Sequence, residues 1–305
     1  ALLALITMAA LEALRSKLMI VVSAWISRRL SGPLLAHRAA HPVDPAVGGL
    51  PALGALTACL LPLTLGMLIP LGRLVWLAAH TETAPGLVAA SWHSLSLAGI
   101  TALIAAALGL ATAYALRSRT AIATLAARAA GLGYAVPGAV AAVGVIAILS
   151  GTQSLLDPAW RSVTGEVFPI LLTGTGAALV FAYLSRFAAA AISPAETALA
   201  RVTPSLDGAA RTLGASRGQR VWHIHWPLIV AGVTSAGLLV FVEVLKELPA
   251  TMILRPFNYD TLAIIAHNFA SDERLGEAAL PSLLIPLVAL LPMIFVARYL
   301  SRQDH

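Results

Sequence analysis

Residues 193–227, SPAETALARVTPSLDGAARTLGASRGQRVWHIHWP, form the only long polar passage between two apolar segments, and they carry helix punctuation at every joint. Ser193, Pro194 and Glu196 make a capping box with proline at the first helical position, which predicts a short helix running to about Val202. Thr203 then caps a second helix that has Pro204 first, and Gly214 ends it. Within that helix Leu206, Ala209, Ala210 and Leu213 recur at i, i+3, i+4 and i+7, one apolar stripe on an otherwise polar element. Ser216 with Gln219 is a further capping box, opening a helix that continues into Trp226, Pro227 and the next apolar segment. The reading is a compact helical knuckle between two membrane spans. An amphipathic helix of roughly ten residues is not stable alone in water, so its stripe needs either a partner surface or the lipid headgroup region.

Composition sets the class. Of 305 residues, 59% are hydrophobic and 11% charged, against about 25% charged in ordinary soluble domains, so most of the chain faces lipid or other apolar helices. The net charge of +6 does not indicate nucleic acid, because the basic residues lie between apolar runs and not in one patch. The single cysteine, Cys59, sits in an apolar run, has no intrachain disulfide partner and reads as a small hydrophobe.

Residues 1–14 read as the end of a preceding span, and residues 15–49, with Arg28, Arg29, His37, Arg38 and His41 among prolines and glycines, as a cytoplasmic linker. Its apolar piece, Leu18 to Ile26, is too short to cross and is expected on the membrane surface. From residue 50 to 305 the sequence predicts one domain of six complete spans, approximately Ala52 to Ala79, Leu95 to Leu116, Ala129 to Leu149, Val167 to Phe187, Leu228 to Leu248 and Leu280 to Leu300, with the polar loop at 188–227. Pro62, Pro70, Pro137, Pro286 and Pro292 fall inside them, as a bundle tolerates. Small residues such as Gly138 with Ala142 and Gly174 with Ala178 predict close helix packing. Counting Lys and Arg in alternate connections gives fifteen on one side, Arg186 included, and four on the other, so the positive-inside rule predicts a cytoplasmic 188–227 loop and C-terminus.

Gly208, Ala209, Ala210, Gly214, Ile224 and Pro227 fall at the spacing E-A-A-x3-G-x9-I-x-L-P, and the stretch thereby resembles the "EAA" loop of binding-protein-dependent ABC importer permeases. Gly208 stands where that family has Glu, and Trp226 where it has Leu; Asp207, one position earlier, is a candidate for the missing acid. The words KELPATMILRPFNYDTLA (246–263) and ASDERLGEAALP (270–281) resemble the corresponding region of ferric-iron permeases, whose chains usually carry two six-span halves; the resemblance covers the second half, from about Pro51 to the end. It implies an all-α polytopic bundle of the type I ABC importer permease kind in the inner (plasma) membrane. It also implies an ATPase-coupling loop of Asp207, Gly208, Ala209, Ala210, Leu213, Gly214, Ile224 and Pro227, with no catalytic residue and no cofactor on this chain. ATP and Mg would be used by partner ATPase subunits, cargo would arrive on an extracytoplasmic binding protein, and a second permease half or second copy would complete the pathway. The implied cargo is ferric iron, with thiamine, sulfate or polyamine as alternatives.

Three charged residues sit where a membrane is expensive. Glu243, Lys246 and Glu247 lie at i, i+3 and i+4, on one predicted helix face, with Glu243 about 22 Å into a core about 30 Å thick. Such groups are expected to face the bundle interior and to pair. The expected pair is Glu243 with Lys246, leaving Glu247 as the odd acid, and the three are candidates for either a helix-locking salt bridge or the translocation path and its gate. Used as an ion relay without ATP, they would instead make a secondary transporter, which has no need of the capped loop.

Other chemistry is weak. His223 and His225 are two apart on a predicted helix and point to different faces, and His37 with His41 has no nearby acid or thiol, so no metal site is expected. The chain has no G-x-x-x-x-G-K-[ST], and neither lysine, Lys17 or Lys246, follows a glycine, so it is not its own P-loop ATPase; no set of converging nucleophile, base or metal ligands suggests an enzyme.

Overall fold

Helices that carry glycine or alanine wherever they meet can bring their backbones together, and three do so here. The computed structural model describes residues 50–118, 120–168 and 172–301; the expectations for residues 1–49, His37 and His41 included, lie outside them. The chain divides at Pro62 into two units, and of the first the structure describes part of helix α1 (Leu50–Leu63), which holds Pro62. The second unit begins with a π-turn (Thr64–Leu68) and contains α2 (Ile69–His80), α3 (Leu87–Arg117), α4 (Ala121–Gly133), α5 (Gly138–Thr164), α6 (Gly176–Ala200), α7 (Pro204–Thr212), α8 (Arg217–Arg220), a second π-turn (Val221–His225), α9 (Trp226–Leu245), α10 (Pro249–Leu254), α11 (Leu262–Ser271) and α12 (Leu275–Ser301).

Six stretches among the described residues are long and apolar enough to cross a membrane: Leu56–His80, Leu87–Arg117, Gly138–Thr164, Gly176–Ala200, Arg217–Leu245 and Leu275–Ile294. No more than 33% of any crossing window is buried within the chain, which leaves most of the apolar surface for lipid or further helices.

Helices α3, α6 and α9 pack on one another as the centre of the bundle. Ala98, Ala105, Ala182, Ala191 and Ala236 are fully enclosed there, beside Leu179, Tyr183, Phe187 and Val240. The approach is close enough that a Cβ built on Gly109 would lie 2.8 Å from the Ala191 carbonyl oxygen. Helix α4 lies on α6, α10 on α5 and α6, and α12 on α2, α9 and α11.

Two expectations from the sequence fail on proline. The span expected over Ala129 to Leu149 is broken: α4 ends at Gly133, and α5 restarts at Gly138 with Pro137 as its extended N-cap. Proline disfavours a helical conformation at the residue before it, and the broken turn is held instead by Val136 N–H to Gly133 C=O (3.2 Å) and Arg186 Nε–H to Val136 C=O (3.1 Å). The opposite error occurs at Ser193–Pro194, where a helix start was expected. Helix α6 runs on through Pro194, because Ala191, Ile192, Ala195, Ala198 and Leu199 continue its buried stripe against α3 and α9. Burial of that stripe outweighs the loss of one backbone hydrogen bond at proline.

The close contact at Gly109 gives a direct test. Gly109→Val should lower the thermal midpoint of the detergent-solubilised protein by the equivalent of about 1–3 kcal/mol, as over-packing does, whereas Gly144→Ala, whose added Cβ meets nothing within 4 Å, should leave the midpoint unchanged or slightly raised.

Candidate functional site

The knuckle forms as its punctuation predicts. Thr203 Oγ1 accepts from Leu206 N–H at 3.4 Å and Pro204 opens α7. Gly214, at φ +79°, supplies the left-handed residue that ends it. Ser216 and Gln219 form the reciprocal capping box of α8, with bonds of 2.9 and 3.3 Å.

The stripe on α7 is not buried as a unit. Ala210 is buried, but Leu206, Ala209 and Leu213 are exposed, Leu213 by 87%. The face turned to the bundle carries Ala210 and Asp207 instead, which are three apart and hence neighbours on the helix surface. Gly208 is exposed, and a Cβ placed on it meets nothing within 4 Å. Of the remaining loop residues, Gly214 and Pro227 are exposed and Ile224 is half-buried.

Asp207 is the centre of the site. Its Oδ1 accepts from His225 Nε2 at 2.9 Å and from Arg220 at 3.3 Å, and its Oδ2 pairs with Arg117 at 3.5 Å. A carboxylate only accepts, so Nε2 of His225 carries a proton; in the neutral ring Nδ1 then accepts from the Tyr114 hydroxyl at 2.8 Å. Arg117 donates a second bond to the carbonyl of Val202 at 2.9 Å. The end of α3, α8 and the π-turn into α9 therefore meet α7 at one carboxylate, and Arg117 ties in the segment that follows α6. Burial works to raise the pKa of Asp207, but the hydrogen bond from His225, the charge of His225 and those of Arg117 and Arg220 outweigh it and hold the group below the usual aspartate value. The π-turn over 221–225 turns His225 inward, while His223 stays exposed with Nδ1 3.1 Å from the Gln219 carbonyl.

At the other end of α9 the charged triplet separates. The helix stops at Leu245, so Lys246 is its exposed cap and Glu247 turns inward. Glu243 pairs with Lys246 at 2.8 Å, as expected, and lines a cavity of about 310 Å³ with Tyr134, Ala189, Ala190 and Leu239. Glu247 is not an odd acid: it pairs at 2.5 Å with Arg186 of α6, both side chains being largely buried. Arg186 therefore lies within α6 and not in a connection, and it leaves the fifteen counted on one side. Gly138 permits the pair, since a Cβ there would strike Glu247 Oε1. Glu247 also accepts from Ala250 N–H, and its backbone carbonyl accepts from Thr251, which takes a hydrogen bond from Tyr183 at 2.6 Å.

Among the described residues no group of three His, Cys, Asp or Glu side chains is arranged to hold a metal. Tyr114, Arg117, Arg220 and Arg186 were not anticipated as partners. Arg186 had a signal, being the lone charge in the apolar run 176–192; the others had none, because their approach is set by tertiary packing.

The chain, a bundle of apolar crossings with a helical knuckle between its fourth and fifth, shares its fold with ABC transporters of known structure. No family model matches the chain. It superposes on a permease chain in the crystal structure of a bacterial alginate ABC transporter in complex with an alginate pentasaccharide-bound periplasmic protein, with a TM-score of 0.66 over 83% of this chain and 94% of that one at 14% identity. A second structure, of a bacterial ABC transporter involved in import of the acidic polysaccharide alginate, gives 0.66 at 15% identity, over 83% and 95%. In sequence the chain is similar to a protein of Salmonella typhimurium named as the 2-aminoethylphosphonate transport system permease PhnV, 27% identical over 134 residues, 44% of this chain and 51% of that one. It is also similar to the Fe(3+)-transport system permease FbpB 2 of Haemophilus influenzae, 29% identical over 109 residues, 34% of this chain and 22% of that one. The chain matches about half the length of the first of these relatives and less of the second. Both curated relatives are transport permeases, not enzymes.

Two outcomes test the geometry. Glu247→Gln strands a buried guanidinium and should cost about 3–5 kcal/mol of stability, most of it recovered when Arg186→Met is added, read by unfolding in detergent. Because the pKa of Asp207 is depressed in the folded protein, its contribution is present above the ordinary aspartate range and is lost as pH falls through the depressed value. The stability advantage of wild type over Asp207→Asn should therefore be constant at neutral pH and shrink below about pH 4.

Proposed function

We propose that this chain is the permease of an ATP-driven importer, in which α7 is the coupling helix for a cytoplasmic ATPase. The observation that carries the proposal is the face of α7 bearing Leu206, Ala209 and Leu213, an apolar stripe on a capped helix that nothing within the described residues covers. A helix of nine residues with such a face is completed by a cleft in another protein. The similarity to transport permeases and the positive-inside count support an inner-membrane protein with this loop cytoplasmic. An extracytoplasmic binding protein delivers cargo to the opposite end, and a second half or copy lines the pathway beside Glu243 and Lys246. The chain holds no catalytic group, and ATP with Mg is used by the ATPase.

For cargo, ferric iron is the first reading. At the end of the bundle opposite α7, Arg255 pairs with Asp260 and Arg274 with Glu277, which leaves Asp272 and Glu273 exposed as an acidic approach suited to a hard trivalent cation. A phosphonate is the second reading, favoured by the longer match to the phosphonate permease.

Leu206→Asp with Leu213→Asp should abolish co-purification of the ATPase while the bundle keeps its thermal midpoint; retained association overturns the coupling assignment. Hydrolysis by the reconstituted complex, stimulated by binding protein loaded with ferric iron or with 2-aminoethylphosphonate, separates the two cargoes.

A further inference from the structure

The coupling helix has few other attachments to the molecule. Of α7 only Ala210 is buried, and the stripe of Leu206, Ala209 and Leu213 faces outward. Among the described residues, what joins its polar face to the rest is the single carboxylate of Asp207, whose partners stand on three different elements: Arg117 near the end of α3, Arg220 on α8, and His225 in the π-turn that leads into α9. Arg117 extends the linkage to the end of α6 through the Val202 carbonyl, and Tyr114 of α3 secures the far side of the His225 ring. We infer that Asp207 is the positioning residue that makes α7 move with α3, α6 and α9, so that displacement of the coupling helix reaches the crossing helices and not only the loop. The inference rests on the reading of α7 as a coupling helix.

Three features of the site support it. First, the charge balance is asymmetric: two guanidinium groups converge on one carboxylate. Its removal therefore does more than delete a bond, because Arg117 and Arg220 are left facing each other across a partly buried gap, and that repulsion would push the elements apart. Second, the register is specific. Successive residues on a helix are turned by about 100°, so an acid at position 208 would stand on the exposed side where Gly208 meets nothing, whereas position 207 faces the core helices. Third, the bond from His225 depends on a π-turn, a rare local winding that is frequent at functional sites, and here it turns His225 toward Asp207 while His223 remains outside.

The test uses the complete permease assembled with its ATPase and binding protein in proteoliposomes. Asp207→Asn keeps the size of the side chain and the outward stripe, and it is read by the ratio of stimulated to basal hydrolysis together with transport. Stimulation by loaded binding protein, and transport with it, should fall about 10-fold, the scale set by one charge-assisted hydrogen bond. Asp207→Glu should restore most of the stimulation. Arg117→Gln, which leaves Asp207 its bonds to Arg220 and His225, is the milder second variant, and combined with Asp207→Asn it should cost no more coupling than Asp207→Asn alone. A residue that merely held the fold would lower association, basal hydrolysis and stimulation together, and that pattern overturns the inference, as does an Asn variant that couples like wild type. If no ATPase associates with the wild-type chain, the coupling reading fails by itself. The clamp is then read by amide hydrogen exchange over residues 204–214, which should be about 10-fold faster in Asp207→Asn and whose invariance overturns the clamp too.

Discussion

A charge inside an apolar bundle must be answered by another, and the ion pair of Arg186 with Glu247 is where this chain meets that demand. Much of the architecture near it follows from the pair. Arg186 reaches across to the Val136 carbonyl and holds the broken turn between α4 and α5, where Pro137 forbids a continuous crossing. Glu247 turns inward past the end of α9 and accepts from the first turn of α10, while Lys246 stays exposed and Glu243 lines a cavity with Tyr134 at the end of α4. Gly138 is small because the pair occupies the space a side chain would need. One interaction thus ties together the ends of four helices.

The Asp207 cluster does the corresponding task at the opposite end, with different physics. It is partly exposed, its members come from elements up to 111 residues apart, and its net charge is positive and not balanced. The Arg186 pair is nearly dry and one to one. The first kind of site is labile and suits a junction that has to transmit movement; the second is costly to break and suits a fixed point.

How much of this was legible follows from which forces are local. Helix caps are decided by neighbouring residues, so Thr203, Gly214 and the Ser216 capping box were readable to the residue. Six apolar runs of crossing length were readable too, but their ends were not: the spans expected over Ala129 to Leu149 and Val167 to Phe187 lie at Gly138–Thr164 and Gly176–Ala200. Proline misled in both directions, since the residue before it resists helix at Pro137 while a buried stripe on both sides overrides it at Pro194. Periodicity marked Leu206, Ala209, Ala210 and Leu213 as one apolar stripe in need of a partner, and of these only Ala210 is buried within the described residues. Periodicity does not register that a carboxylate held by two guanidinium groups and a histidine N–H faces inward. The spacing of the knuckle did locate Asp207, but not Tyr114, Arg117 or His225 around it, whose positions depend on how α3 and α9 cross.

The uninterrupted course of α6 has a mechanical meaning. From Gly176 to Ala200 it is a rod of 25 residues, about 37 Å at 1.5 Å per residue, with Arg186 fixed part-way along and the Val202 carbonyl held by Arg117 just past its end. A rod pinned at one point and pulled at another is a lever. Sixteen residues separate the fulcrum from the grip, about 24 Å of arm. A tilt of a few degrees about the buried ion pair shifts the grip end by an ångström or two and swings the shorter arm, beyond Arg186, the opposite way. Had Pro194 broken the helix where its sequence invites a break, the two ends would be free to move independently.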